Sequence, residues 1–289
     1  MPTPSLADLP VRRLTPRDMP LCADLSEDRG WPREEHKWGL LLSAGQGYGI
    51  DDPAGGLVAA CTVTSYGTSD QPELAAIGMV LVAQRHARQG VGRRLMKEVL
   101  ALLEGSPITL HATPNGQPLY EELGFKTIGR AEMVRGHFRA FGPAPAVPTR
   151  AATAEDLPAL LRLDAEVFGP DRTHVLTRLP AFADQLRVAE SSAGELLGYA
   201  AAWPNMQTHV IGPLIARDTE TAKSLVASLA AHTDRPLRTD IDVRHEELLT
   251  WIKSQGVEPV AFNAVMAYGT PELPGDWPRR FAPLTVAAG

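Results

Sequence analysis

The stretch from Ile77 to Glu104, IGMVLVAQRHARQGVGRRLMKEVLALLE, decides how the first half of this chain folds. Its opening seven residues carry no charge and predict a buried strand. Its second half places Val91, Leu95, Val99 and Leu102 at the spacing of one helix face. We therefore expect a strand, a polar loop and an amphipathic helix that packs its apolar face on that strand.

The polar loop of this stretch combines two glycines with a cluster of basic residues. Gly90 and Gly92 lie at the strand-to-helix turn, where glycine lets backbone N–H groups approach a phosphate and the helix dipole favours an anion. The basic residues nearby are Arg85, His86, Arg88, Arg93, Arg94 and Lys97. A basic cluster in an acidic chain indicates a specific anion. A glycine turn beside a solvated basic helix face is an equal alternative on this segment alone.

Neither common nucleotide motif fits the loop. A dinucleotide fingerprint needs a third small residue where Leu95 stands. A triphosphate loop needs Gly-Lys-Ser/Thr, but Arg93 and Arg94 follow the second glycine. The anion would therefore be held in another way.

A second segment resolves this ambiguity. Residues 108–125, ITLHATPNGQPLYEELGF, predict a strand, a loop and a short helix that carries Tyr120 and ends at Gly124. Together the two segments resemble the GNAT superfamily of N-acyltransferases. Its members show an apolar fourth strand, a Q/R-x-x-G-x-G/A pyrophosphate loop and a helix with Tyr before Gly-Phe. Here RQGVGR spans residues 88–93 and LYEELGF spans residues 119–125, and the resemblance is strong over residues 70–126.

The chain also contains a divergent internal repeat. VRRLTPRDMP from Val11 resembles TRAATAEDLP from Thr149, with a proline-rich uncharged segment between the two copies. The identical pairs are Arg12 and Arg150, Thr15 and Thr153, Asp18 and Asp156, Pro20 and Pro158. We interpret the chain as two related α+β (mixed α/β) domains, each a mixed central sheet flanked by helices. The boundaries are 1–140 for the first domain, 141–148 for the linker and 149–289 for the second. Chance similarity of two mixed halves is the weaker alternative. The whole resembles a bacterial subgroup of tandem GNAT proteins with a catalytic-type N-terminal lobe and a divergent C-terminal lobe.

The resemblance implies a binding site for acetyl-CoA in the first half. Pyrophosphate would bind backbone N–H groups of residues 88–93, with arginine side chains beside it, and pantetheine would pair with an exposed strand edge. The residues implied are Val80, Leu81, Val82, Arg88, Gln89, Gly90, Val91, Gly92, Arg93 and Asn115. Tyr120 is the implied general acid that protonates the leaving thiolate. A packing tyrosine is the alternative for this residue.

Departures from the family pattern leave the general base unassigned. The first Q/R of the loop motif is Ala87 here, so one side-chain contact is missing. Two residues are candidates for the base, and neither is strongly indicated: Glu73, at the start of the strand, and His111, near the end of the next strand. For His111, a histidine that is satisfied structurally at a strand end is at least an equal alternative. The acceptor amine would lie against residues 28–42, where Trp31, Glu34, Glu35, His36 and Trp38 could hold a cation. An amphipathic helix with Trp38, Leu41 and Leu42 buried and its charges in water is slightly favoured for this segment.

The second half lacks these signals. The loop after Ile215 has Glu220 and no glycine before its helix, and Ile252 stands where the second motif needs tyrosine. We therefore expect residues 149–289 to bind no coenzyme A. Asp240, Asp242 and His245 form a weak metal-site pattern, although two alternating acids on a strand more often face solvent.

Composition limits the remaining possibilities. The 289 residues have a formal net charge of −6, which argues against general nucleic-acid binding, and two cysteines, which favour a reducing compartment. The N-terminus lacks a secretory signal pattern, and the longest uncharged stretch, 196–216, is too polar to span a membrane. We expect a cytoplasmic acetyl-CoA-dependent N-acetyltransferase that acts on a small-molecule or peptide amine, and the sequence leaves both a monomer and an oligomer open. A coenzyme-A-binding sensor or pseudoenzyme and an assembly module are the alternatives.

Overall fold

The computed structural model describes residues 5–68 and 72–289, so the first four residues of the N-terminal segment and residues 69–71 lie outside it. The first half contains β1 (Val11–Leu14), α1 (Met19–Asp28), α2 (Glu35–Ala44), β2 (Gln46–Asp51), β3 (Leu57–Gly67), β4 (Pro72–Val82), α3 (Val91–Leu102), β5 (Ile108–Ala112), α4 (Gln117–Glu122) and β6 (Lys126–Gly136). The second half contains β7 (Thr149–Ala151), α5 (Leu157–Phe168), α6 (Thr173–Leu176), α7 (Leu179–Phe182), β8 (Gln185–Glu190), β9 (Leu196–Asn205), β10 (Thr208–Ala216), α8 (Thr219–Ala230), β11 (Leu237–Asp242), α9 (Glu246–Ser254), β12 (Glu258–Tyr268) and β13 (Arg280–Ala282).

These strands form one mixed sheet in which the halves exchange a strand. The order is β1-β2-β3-β4-β5-β12-β6-β11-β10-β9-β8-β7, with β13 paired to β10. The pairs β4–β5 and β10–β11 are parallel, and the others are antiparallel. Strand β12 of the second half lies between β5 and β6, and β6 of the first half lies between β12 and β11. The expected mixed α and β class with two related halves is confirmed, and the two halves share one sheet.

The repeated sequence motif builds the same local structure in both halves. Arg12 binds Asp18 at 2.7 Å, and Arg150 binds Asp156 at 2.7 Å. In each copy the aspartate also accepts a hydrogen bond from the backbone of the threonine that caps a 3₁₀ turn before the first helix. The four identities detected in the sequence are thus positions that fix the entry into α1 and α5.

The helix that follows the glycine loop packs as its periodicity predicts, with one exception. Val91, Leu95 and Val99 are buried against the sheet, and Met96 joins them. Leu102 was expected on the same face, but 63% of its surface is exposed. The helix ends at this residue, and Leu103 occupies the buried place at its end.

A further core lies between the halves and joins them. Leu40, Tyr66 and Ala76 of the first half share an apolar cluster with residues of α5, α6 and α7. Because this cluster and the exchanged strands cross the linker, neither half has a complete core of its own.

Candidate functional site

A bulge in β4 shapes the centre of the first half. In the register between β3 and β4, Ala60 pairs with Leu81 and Thr62 pairs with Gly78, so one residue of β3 opposes Met79 and Val80. Met79 has φ 50, a left-handed conformation that is costly for a residue with a side chain. Bulges bend a strand and redirect it. The strained residue therefore lies where β4 changes direction.

Beyond the bulge, β4 and β5 separate. Their parallel pairing covers Ala75 to Ile77 on β4 and ends at Leu110 on β5, although β4 continues to Val82 and β5 to Ala112. In the described part of the chain, no strand pairs with the β5-facing edge of residues 80–82. An unpaired edge presents N–H and C=O groups to an extended ligand. The residues expected to pair with pantetheine thus lie on an open edge.

The loop after β4 is a row of backbone amides without acceptors. Among the described residues, none accepts a hydrogen bond from the N–H groups of residues 88–93, and the first helical bond is from Arg94 N–H to the Gly90 carbonyl at 3.0 Å. Arg88 (φ 59) and Gly90 (φ 77) are both left-handed, which turns successive N–H groups towards one side. These donors lie at the N-terminus of α3, beside the open edge of β4. The geometry suits an anion such as a pyrophosphate.

Most of the basic side chains near the loop are already paired with carboxylates. Arg93 forms an ion pair with Glu122 across the surface. Arg94 pairs with Glu98 at 3.0 Å and donates to backbone carbonyls of the N-terminal segment. Arg88 and Lys97 are exposed and have no ionic partner in the part of the chain described here. The backbone, rather than the arginine cluster, is the main donor set.

Tyr120 lies on α4 with its ring in the core of the first half. Its exposed fraction is 8%, and its ring packs edge-on against Phe125 with centroids 5.9 Å apart. No described residue hydrogen-bonds to its hydroxyl. Burial raises the pKa of Tyr120 above its ordinary value, so the phenol keeps its proton at neutral pH. Asn115, in the loop before α4, is exposed and free to contact a ligand.

The two base candidates lie in different surroundings. Glu73 is exposed at the start of β4, five residues or about 16 Å along the strand from Gly78. His111, on β5, lines a cavity of about 30 Å³ together with Arg172, Asp242 and Arg280. Its Nδ1 atom has no hydrogen-bond partner in the described chain. Burial, followed by the charge of Arg280, lowers the pKa of His111 to about 4, so the ring is neutral at pH 7.

Part of the expected acceptor segment packs against the second half. Glu34 is buried, forms an ion pair with Lys37 and accepts a hydrogen bond from Asn205 Nδ2 at 2.9 Å. His36 stacks on Phe182 with ring centroids 4.3 Å apart. The remaining residues follow the amphipathic-helix interpretation: Trp38, Leu41 and Leu42 are buried, Glu35 is exposed and Trp31 is 38% exposed. The expectation that all charges of this segment face water was wrong for Glu34 and Lys37, because the second half covers them.

The last residues of the chain cover one side of the β4 bulge. Gly78 has no side chain, and a Cβ atom there would lie 2.5 Å from Cα of Ala287. The hydroxyl of Tyr66 donates to the carbonyl of Ala288. Residues 284–289 therefore lie on the face of β4 opposite α3, and they form a wall at the bulge.

The second half has the same bulge, but its own chain fills the opening. Strand β10 is irregular between Ile211 and Leu214, and its parallel pairing with β11 covers only His209 and Val210. The edge that follows is paired with β13, Leu214 with Ala282 and Ile215 with Arg280. The place that is open beside β4 is thus occupied beside β10.

The helix after β10 is also blocked at its N-terminus. The carboxylate of Asp218 accepts a hydrogen bond from Thr221 N–H at 2.8 Å and caps α8. The sequence analysis named Glu220 instead, which pairs with Lys223 at 2.7 Å. The pattern Asp-Thr-Glu-Thr at residues 218–221 is a helix-capping signal that could have identified Asp218.

The weak metal pattern of the second half is an ordinary polar cluster. Asp242 binds Arg244 at 2.7 Å, and the ring of His245 stacks on Phe281 with centroids 3.9 Å apart. Asp240 and Asp242 are buried, so the solvated-face interpretation was wrong. Within residues 5–68 and 72–289 no group of three or more potential ligands could hold a metal ion. In the same residues we find no helix with the length and apolarity to span a membrane.

Comparison with family models gives the same result for both halves. An acetyltransferase (GNAT) domain model matches residues 58–142, which contain the bulge, the amide loop and Tyr120. A second acetyltransferase (GNAT) domain model matches residues 160–282. The two halves that the sequence repeat indicated are therefore each similar to GNAT domains.

Individual relatives agree with these matches. The protein described as uncharacterized N-acetyltransferase YitH of Bacillus subtilis (strain 168) is 29% identical over 222 residues, which cover 76% of this chain and 77% of the relative. A putative acetyltransferase from Pyrococcus horikoshii superposes with a TM-score of 0.81 over 100% of this chain and 99% of its own, at 19% identity. A GCN5-related N-acetyltransferase from Sphaerobacter thermophilus gives a TM-score of 0.61 over 92% and 96% of the two chains, at 15% identity. At these identities the solved structures show a shared fold.

Proposed function

Because the chain belongs to the GNAT superfamily as a tandem-domain N-acetyltransferase, we propose that its N-terminal half transfers the acetyl group of acetyl-CoA to a primary amine of a small molecule or peptide. The observation that carries this proposal is the row of six amides at residues 88–93 beside an unpaired strand edge. In the second half, Asp218 and β13 fill the corresponding places. The contrast supports one catalytic half and one that binds no coenzyme A.

The residues of the first half fit the parts of the co-substrate. The N–H groups of residues 88–93, including those of Gln89, Val91 and Gly92, would hold the pyrophosphate. The edge of Val80, Leu81 and Val82 would pair with the pantetheine amides, and Asn115 would contact the same arm from the facing loop. The unpaired cations Arg88 and Lys97 would add charge at the exposed end.

The reaction requires one proton to be added and one removed. Bound acetyl-CoA supplies the thioester carbonyl and the thiolate that leaves it. A backbone N–H near Val80 would donate to the carbonyl oxygen as negative charge develops there. Tyr120, protonated at neutral pH, would give its proton to the thiolate and recover one from solvent. The amine proton would leave through water, because His111, with a pKa of about 4, is a weak base in this state.

The C-terminal half is proposed as a wall of the acceptor site and a support for the sheet. We divide the chain into domains 1–140 and 149–289 with a linker at 141–148, although strand exchange makes them one unit. The acceptor amine would reach the bulge beside the wall that α1, α2 and residues 284–289 form on one face of β4. That face joins both halves, which supports a role for the second half in choosing the acceptor.

The test is calorimetric titration of the full chain with acetyl-CoA, using two matched glycine variants. Gly90 and Gly105 both have positive φ, 77 and 85, and an added Cβ meets no atom of the described residues within 4 Å at either. Each substitution with glutamate therefore costs about the same backbone strain, roughly 1–2 kcal/mol. Gly90→Glu places a carboxylate among the six amides, beside the proposed pyrophosphate site. Repulsion between this carboxylate and a phosphate charge about 4 Å away would weaken binding by about 4 kcal/mol. Gly105→Glu places the carboxylate in the turn after α3.

We expect acetyl-CoA to bind the wild type and Gly105→Glu with similar affinity, and Gly90→Glu at least about a hundredfold more weakly. Equal weakening by both variants would show that strain, not charge in the loop, is responsible. No binding by the wild type would refute the proposal. An acetyl transfer assay with a panel of amines then identifies the acceptor class.

A further inference from the structure

A buried carboxylate outside the amide row holds the segment that leads into it. Asp52 lies in the turn between β2 and β3 with 8% of its surface exposed. Its Oδ2 atom accepts hydrogen bonds from Arg85 Nε at 2.9 Å and Arg85 Nη2 at 2.7 Å, and it lies 2.6 Å from His86 Nε2. Its Oδ1 atom accepts from Ala54 N–H at 2.8 Å. Every oxygen of this carboxylate is therefore engaged.

The contacts continue from this carboxylate into the amide row. The carbonyl of Arg85 accepts a hydrogen bond from Gln89 Nε2 at 3.2 Å, and Gln89 precedes Gly90. The same arginine also donates from Nη2 to the Gly55 carbonyl at 3.1 Å. Asp52, Arg85 and Gln89 thus form a chain of contacts from the β2–β3 turn to the middle of the loop.

The charge of Asp52 is secured by these contacts. Burial would raise the pKa of its carboxyl, but the hydrogen bonds from Ala54, His86 and Arg85 outweigh burial and lower the pKa to about 2. The carboxylate is therefore charged over the whole neutral range. It also engages the side chains of Arg85 and His86.

We propose that Asp52 is a positioning residue that orders the coenzyme A loop, residues 84–92, before the ligand binds. This inference rests on the proposed function, because the loop is assigned to coenzyme A there. A loop with left-handed residues at Arg88 and Gly90 loses conformational freedom when it is ordered. An anchor at its start removes part of that cost from binding, so affinity for acetyl-CoA is higher.

The experiment compares Asp52→Asn with Asp51→Asn in the full chain. Asp51 is the neighbouring residue, and its exposed carboxylate binds Arg12 at 2.7 Å, away from the loop. Both variants remove one charge and one arginine partner. Two readouts are measured for each variant. The first is kinetic: the KM for acetyl-CoA is compared with kcat and with the KM for the amine. The second is amide hydrogen exchange, without ligand, in peptides that cover residues 84–92.

We expect Asp52→Asn to raise the KM for acetyl-CoA about tenfold, with kcat and the amine KM within twofold of wild type, and to increase exchange in residues 84–92. Asp51→Asn should change neither. Unchanged affinity and exchange in Asp52→Asn would overturn the inference. Tighter binding would overturn it as well, because it would mean that Arg85 and His86, once released, bind the anion better than an ordered loop does.

The two proposals fail in different ways. If the wild type binds no acetyl-CoA, the proposed function is wrong, and the assignment of Asp52 to coenzyme A binding is wrong with it. If the wild type binds and Asp52→Asn matches Asp51→Asn, only the positioning role is wrong. A thermal unfolding curve for each variant identifies a general loss of fold, which would weaken acetyl-CoA and amine binding together.

Discussion

Replacing Tyr120 with phenylalanine separates a catalytic hydroxyl from a packing ring. The ring is buried, packs edge-on against Phe125 and is retained in the variant. The hydroxyl has no hydrogen-bond partner in the described chain, so its removal breaks no bond. We therefore expect the free energy of unfolding to change by less than about 1 kcal/mol. A general acid, in contrast, contributes about 10²–10⁴ in rate.

The assay is release of free thiol from acetyl-CoA in the presence of a good amine acceptor. We expect Tyr120→Phe to lower kcat by at least about a hundredfold, with the dissociation constant for acetyl-CoA unchanged. Tyr268→Phe is the matched control, since Tyr268 packs on Phe125 with centroids 5.2 Å apart. It should keep the wild-type kcat.

The pH profile adds a check on the protonation state. The pKa of Tyr120 is raised by burial, so the acid stays protonated through pH 10, and this group should cause no fall in kcat on the alkaline side below that value. A loss of less than tenfold in Tyr120→Phe, or an equal loss in Tyr268→Phe, would refute the acid role and favour a packing tyrosine.

Two further predictions concern stability. The pKa of His111 falls from 6.5 to about 4 on folding. The contribution of the neutral ring to the free energy of unfolding is therefore present above pH 6.5 and is lost as pH falls towards 4. In urea unfolding between pH 7 and 5, His111→Gln should lose less free energy of unfolding than wild type, by at most about 2 kcal/mol. Parallel curves of the free energy of unfolding against pH for the two proteins would contradict this. Gly78→Ala should lower stability by about 1–3 kcal/mol, because its Cβ would lie 2.5 Å from Cα of Ala287. In thermal unfolding, its control Gly39→Ala should raise Tm, since among the described residues that helical Cβ contacts Met19 Sδ alone, at an ordinary 3.7 Å. An unchanged Tm in Gly78→Ala would mean that the C-terminal segment is not packed there.

The parts of the fold that could be predicted from sequence are those encoded by neighbouring residues. The periodicity of α3, the glycines at its start and the Tyr-Glu-Glu-Leu-Gly ending of α4 are each local signals within one turn or strand. The internal repeat also corresponds to real contacts, the ion pairs of Arg12 with Asp18 and of Arg150 with Asp156. Each pair joins residues only six positions apart, so it too is a local signal. Local chemistry therefore located the amide loop and Tyr120.

The parts that could not be predicted depend on distant pairing. Nothing in the sequence of β13 indicates that it lies beside β10, about 65 residues earlier in the chain. The burial of Glu34 depends on Asn205, which is 171 positions away. The helical pattern predicted that Glu34 faces water, because the periodicity of one segment carries no information about a distant segment that packs on it. Register and pairing between distant strands are set by the whole core.

The strand exchange shows how the second half supports the half that we propose to bind coenzyme A. β5 carries His111 and leads into the helix of Tyr120, and its outer edge is paired with β12 at five positions, Ile108 to Ala112. Without β12 this edge would be open, and an open edge beside a strand that already separates from β4 is poorly held. The first half thus obtains a closed sheet from the second half. The second half, in turn, uses β13 to fill its own opening. Of the bulges in β4 and β10, the one in β4 is therefore left beside a strand edge that no described strand pairs.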